Sequence, residues 1–198
     1  MAEQIRDGAG GRHLQRVDKN FRAHTFSITE PELVDANRQG DAYNINTGLI
    51  TLTDAVDTPV IYLKNNEDKQ IVIEAIAIGL FNSTGGSSTA DVYATFVRNP
   101  TTGTIISGAT NVDINSNRNF GSANTLTADA YKGATGDTMT DGVDHILVRA
   151  DTGTRSFVSI NEVLPQGTSI GVKIKPPTSN TSVSVYVALV LYLAQGVV

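Results

Sequence analysis

The chain contains no cysteine. Disulfides, thiolate nucleophiles and thiolate zinc sites are therefore excluded. It contains no tryptophan, and aromatic residues make up only 6% of it. That is a poor supply of the stacking platforms used by sugar and single-strand binders. Charge is scarce too: Asp, Glu, Lys and Arg together are 18%, below the quarter usual for a globular domain. The balance is acidic, with a formal net charge of −5. A nucleic-acid partner demands a basic face. None is visible beyond the first 25 residues, so no nucleic-acid partner is expected. The N-terminal MAEQIRDGAGGRH has no apolar core, and no signal peptide is expected. The most apolar run, VSVYVALVLYLAQGVV, is short for a membrane helix. Its first half alternates, which reads as a buried strand and not as a membrane contact.

What the chain does have is Ser, Thr, Asn and Gly in quantity, with abundant Val, Ile and Leu. That mixture suits short strands joined by many turns. The apolar content argues against disorder over most of the length, and 198 residues suffice for one well-buried domain. Residues 1–40 differ from the rest, mixing charge and Gly with few clustered apolar residues. Arg6, Arg12, Arg16, Lys19 and Arg22 give this region a mild positive bias. Leu14, Val17, Phe21, Phe26 and Ile28 are spaced to anchor an arm on a neighbouring subunit. The plainer alternative is a floppy terminus. A short helix over Glu30–Ala36 is also compatible with the pattern.

From residue 41 to 198 the pattern is β. AYNINTGLITLT alternates about a glycine break. QIVIEAIAIGLF sets Ile71, Ile73, Ala75 and Ala77 on one face and Val72, Glu74, Ile76 and Ile78 on the other, with Glu74 the odd member. PVIYLKN, ADVYATFVRN, TIISGATNVDI, HILVRA, RSFVSIN, TSIGVKIK and VSVYVALVLYL supply further strands. DTGT between HILVRA and RSFVSIN reads as a hairpin turn. Eight or nine strands with regular turns predict an all-β, antiparallel sandwich, of which the jelly roll is the commonest eight-stranded form. Residues 115–143 would be a crossing loop or an insertion.

The search for chemistry yields little. A hydrolase triad needs a nucleophile, a base and an orienting acid. His13 and His24 fall in the arm, and His145 opens a strand with no nucleophile elbow anywhere in the chain. No catalytic residue is assigned and no enzyme activity is expected. Asp137, Asp141 and Asp144 in GATGDTMTDGVDH are the calcium candidates. Their spacing is not that of an EF-hand, and Asp-Gly pairs turn the chain without an ion, so no metal or other cofactor is expected. NSTGGSSTA is glycine-rich but lacks the Lys-Ser/Thr of a phosphate loop. Glu74, Asp91 and Asp113 do not form a pair that spacing can identify as catalytic.

One polar stretch remains, NVDINSNRNFGS at 111–122, with four asparagines, an arginine and a phenylalanine. Asn and Asp satisfy their own backbones in turns and tolerate left-handed conformations. The stretch is therefore either a self-bonded loop or a contact surface, with Arg118 as a fork-shaped donor and Phe120 as an anchor.

GDAYNINTG, IYLKNNED, RNPTTGTIISGATNVDINSNRNFGS, ADAYKGATG and LPQGTSIGVKIKPPTSNTS, with an N-terminal IRDGAGG…VDKN, run through nearly the whole chain. Together they resemble a group of tailed-bacteriophage virion structural proteins. The resemblance implies a head decoration, or cement, protein on the outer surface of the phage head. Its partners would be the major capsid protein or other virion proteins and further copies of itself, a trimer suiting a capsid. No catalytic pattern comes with it. Its interface residues would be Arg6, Arg12, Arg16, Phe21 and Phe26 in the arm and Arg118 and Phe120 in the loop. The alternative is a tail, baseplate or host-adhesion component built on the same sandwich.

Overall fold

The computed structural model describes residues 31–52, 56–82, 92–107, 110–150, 155–176 and 183–194. Alternating Val, Leu and Tyr make β12 (Val183–Leu193) the hub of one sheet. Its odd-numbered side chains enter the core, and its backbone pairs with β4 (Ile71–Asn82) on one side and β1 (Ala42–Asn46) on the other. β2 (Ile50–Leu52) also joins β12, after a break at Gly48 with φ +66°. The sheet is completed by β10 (Arg155–Leu164) beyond β4 and by the two-residue β7 (Ser116–Asn117) beyond β1. The second sheet runs in the order β6 (Thr110–Asn111), β8 (Ala128–Lys132), β3 (Thr58–Asn65), β11 (Ser169–Lys175), β5 (Val92–Arg98), β9 (Val143–Ala150). Every pairing is antiparallel.

The long strands follow one rule of connection. β1, β3, β4 and β5 pair, in that order, with β12, β11, β10 and β9. The first half of the domain thus lies antiparallel to the second half, folded so that successive pairs fall in alternate sheets. Between the sheets, Tyr43, Ile45, Leu63, Ile73, Ile76, Ile78, Phe96, Val172 and Leu189 form a core that is almost wholly dry. The expected all-β antiparallel sandwich is the observed architecture.

Several local expectations are corrected. β4 does not alternate strictly. Glu74 is an extra residue opposite β12, where Ala75 pairs with Val190 and Ile73 with Leu191. This bulge switches the core face from Ile71 and Ile73 to Ile76, Ile78 and Leu80. HILVRA and RSFVSIN do not pair as a hairpin. β9 bonds to β5 and β10 to β4, in different sheets, because each brings apolar residues (Val148, Val158) to the same core from opposite sides. TIIS is a helical turn, α2 (Thr104–Ser107), and not a strand. It drops Ile105 onto Tyr62, Val97 and Met139 on the outer face of the second sheet.

The helix expected near residues 30–36 is α1 (Glu32–Gln39). It packs Ala36 on Ala42, Val72 and Tyr192, so α1 belongs to the same compact unit as the sandwich, Glu32–Val198. Gly40, with φ +80°, ends it: Gly40 N donates to Asn37 O and Asp41 N to Ala36 O. A Cβ at Gly40 would lie 2.1 Å from Ser122 Oγ, which ties this turn to the loop of interest.

Candidate interaction surface

Three of the four asparagines of NVDINSNRNFGS, Asn115, Asn117 and Asn119, are spent internally. Asp113 Oδ1 accepts from Asn115 N at 2.9 Å, and Asn115 Oδ1 accepts from Leu126 N at 3.2 Å. Asn117 Oδ1 accepts from Asn119 N at 2.8 Å, while its Nδ2 donates to Gly40 O at 2.6 Å. Asn119 repeats the device: Oδ1 accepts from Gly121 N and Nδ2 donates to Arg38 O. Asn124 Nδ2 reaches Gln39 O. Side chains thus replace the regular ladder and lash the loop to the end of α1 and the start of β1. A surface loop needs such partners for its polar groups wherever it is not open to water.

Arg118 belongs to this brace. Its backbone N donates to Ala42 O at 2.9 Å and its Nη1 to Asn44 Oδ1 at 2.9 Å. It is half-buried, and its Nε is buried without a hydrogen-bond partner among the described residues. It edges a cleft of about 500 Å³ on the outer face of the first sheet, floored by Ala75, Ala77 and Ala188. Phe157, 60% exposed, stands in the wall of that cleft. Phe120 is the opposite case. At 102% relative exposure it packs on nothing among the described residues. Its turn is nevertheless fixed, because Ser122 N donates to Asn119 O at 2.9 Å. The two loop residues singled out from the sequence therefore part: Arg118 braces, and Phe120 projects.

Arg6, Arg12, Arg16, Phe21 and Phe26, with His13 and His24, lie outside the described residues. The three aspartates do not converge. Asp137 accepts from Thr104 Oγ1 at 2.8 Å and from Ala134 N at 2.7 Å. Asp141 accepts from the Thr102 hydroxyl. Asp144 pairs with Lys173 at 3.1 Å. No group of three possible metal-ligating side chains occurs among the described residues.

A second cleft, of about 390 Å³, opens at one end of the sandwich where the edge strands β9 and β10 approach. His145 Nε2 lies 3.0 Å from Glu162 Oε1 across its mouth. Ser169 shares the cleft, but its Oγ bonds to Pro100 O at 3.3 Å, and no hydroxyl among the described residues is bonded to His145. The nucleophile–base pair of a hydrolase is thus not assembled there. Sequence reading missed this cleft. The available signal was Asn161 in the middle of RSFVSINEVL, a residue depleted in strands and tolerant of the left-handed region.

Three buried tyrosines carry raised pKa values. Burial is the first cause for each. Tyr192 is pushed up to about 12 by burial, then by its bond to Glu32, then by the charges of Glu32 and Glu74. No family model matches the chain, and none of the curated proteins matches it.

Proposed function

We propose that this chain is a non-enzymatic structural protein of a tailed-bacteriophage virion, acting as a decoration protein that cements the outside of the head. The observation that carries the reading is Phe120, a fully exposed aromatic ring on a loop whose neighbouring asparagines, Asn117 and Asn119, are tied down. A rigid aromatic presented this way loses little freedom on binding, which is what a contact anchor needs. The sequence resemblance supplies the virion, and the pairing of the first four long strands with the last four supports the finer reading of the sandwich as a jelly roll. Many copies on one shell need only modest contact each, since bridging neighbouring capsomers adds avidity. An acidic body is suited to the outside of a particle filled with DNA. The arm residues Arg6, Arg12 and Arg16 are assigned to the neighbouring capsid surface, and Phe21 and Phe26 to a neighbouring copy.

The test is sedimentation of the purified chain with heads lacking it. Wild-type protein should co-sediment in a saturable ratio. Phe120→Ala should weaken binding by about 2 kcal/mol, in the range of a buried anchor, with an unchanged melting curve. Binding to tails but not to heads would replace the decoration role by the tail or baseplate one.

A further inference from the structure

Departures from regular β-structure gather at the end cleft. Among the described residues three non-glycine residues hold a positive φ: Asn99 at 49°, Asp141 at 59° and Asn161 at 49°. Asn99 and Asn161 line the cleft, and Asp141 lines the pocket that adjoins it. Two edge bulges meet at the same level. In β9, His145 is extra opposite β5, between the pairs Ile146–Phe96 and Asp144–Val97. In β10, Ile160 and Asn161 stand between Ser159, which pairs with Ala75, and Glu162, which pairs with Ile73. Bulges at an edge blunt strand pairing and re-aim side chains. Here they aim His145 and Glu162 at each other, which fixes one wall of the cleft.

Arg98, at the end of β5, lines both pockets. Its guanidinium has no hydrogen-bond or ion-pair partner among the described residues. Of the acidic groups near it, Asp144 is paired with Lys173, Glu162 faces His145, and Asp141 accepts from the Thr102 hydroxyl. Asn99 spends its Oδ1 on Ser169 N at 3.0 Å, leaving its amide nitrogen as a donor. The Asn161 side chain is likewise without a partner among the described residues. The cleft thus offers one unpaired cation and two amide donors, on backbone held in place by bulges. Val143 (68% exposed) and Val163 (48% exposed) flank it.

We propose that this cleft binds the carboxylate of an acidic side chain presented by a partner protein. Arg98 would receive the two oxygens in its planar fork, with the Asn99 and Asn161 amides completing the set. Two features favour a protein over an acidic sugar. The flanking valines suit apolar neighbours of the carboxylate. The only phenyl ring in the lining, Phe96, is 1% exposed and offers a sugar no face to stack on. The inference does not depend on the virion reading.

The full chain, isotope-labelled, should be titrated with N-acetyl-glutamate N-methylamide and followed by NMR. Saturable shifts are expected at the Arg98 side chain, the His145 ring and the Asn161 amide. N-acetyl-glutamine N-methylamide should give none. Arg98→Gln should weaken binding at least tenfold with the remaining spectrum unchanged. Asn161→Gly preserves the left-handed backbone while removing the amide, and should weaken binding several-fold even if the arginine variant fails to fold. Equal response to the glutamine compound, or no saturable shift, overturns the proposal. Tighter binding of glucuronate than of the glutamate compound also overturns it, in favour of a sugar ligand.

Discussion

Asn65 shows how much one side chain can hold. It is wholly buried at the end of β3. Its Nδ2 donates to Lys69 O and to Leu164 O at 2.9 and 2.8 Å, and its Oδ1 accepts from Glu67 N at 2.8 Å. It closes its own turn and reaches across to the opposite sheet. Asn65→Ala leaves those backbone groups unpaired. A loss of about 3 kcal/mol is expected in urea denaturation, since each unsatisfied buried group costs about 1–3 kcal/mol. Phe120→Ala should cost the fold nothing by the same measurement. The contrast separates a residue that holds its own domain together from one that is fully exposed on it. Phe120 was legible in the sequence because an apolar ring among asparagines has no local use. Asn65, in KNNEDK, has the pattern of ordinary turn chemistry, and nothing local reveals that Leu164 lies beside it.

At the level of elements, alternation was readable wherever strands stayed regular, as in β12. It failed at Glu74, where an inserted residue changes the face without changing the composition. It could not show which strand DTGT leads to, because pairing is decided by the opposite half of the chain. The end cleft was illegible for the same reason: Arg98, His145 and Asn161 come from three strands in two sheets. α1 was legible as a helix but not as a packed one, since its only buried residue is Ala36. Its seat includes the bond from Tyr192 Oη to Glu32 Oε2 at 2.9 Å. Tyr192 has a folded pKa raised from 10.0 to about 12. The folded state therefore keeps a proton that the unfolded chain gives up above pH 10. That contribution to stability is complete below pH 10 and is lost as pH rises towards 12. Melting temperature followed from pH 9 to 12 should fall less steeply in Tyr192→Phe than in the wild type. An unchanged slope would mean that the Tyr192 hydroxyl does not titrate with unfolding.

For the whole molecule, the compact unit Glu32–Val198 sets where a truncation should fall. Removing residues 1–30 spares α1 and should leave the melting temperature within about two degrees of the full chain, because the buried core of the described residues lies wholly within 36–193. The same deletion should lower the amount of protein that sediments with heads. On the proposed decoration role, ordering an arm on the shell would cost about 1–2 kcal/mol per residue, to be offset by contacts made there. Full binding by the shortened chain would assign attachment to the sandwich and Phe120 alone.

The pairing of β1 with β12 has a consequence for synthesis. The strand at the centre of the first sheet is the last of the described strands to be made, and β1, β2 and β4 all wait for it. At roughly 5–20 residues per second of translation, the early strands spend on the order of ten seconds without their neighbour. Their unpaired edges stay within reach of chaperones for that time, and premature stop codons before residue 183 should yield chains that are degraded and not stored. A ribosome-stalling series with a C-terminal linker added would show protease resistance appearing in a single step, once β12 has cleared the exit tunnel.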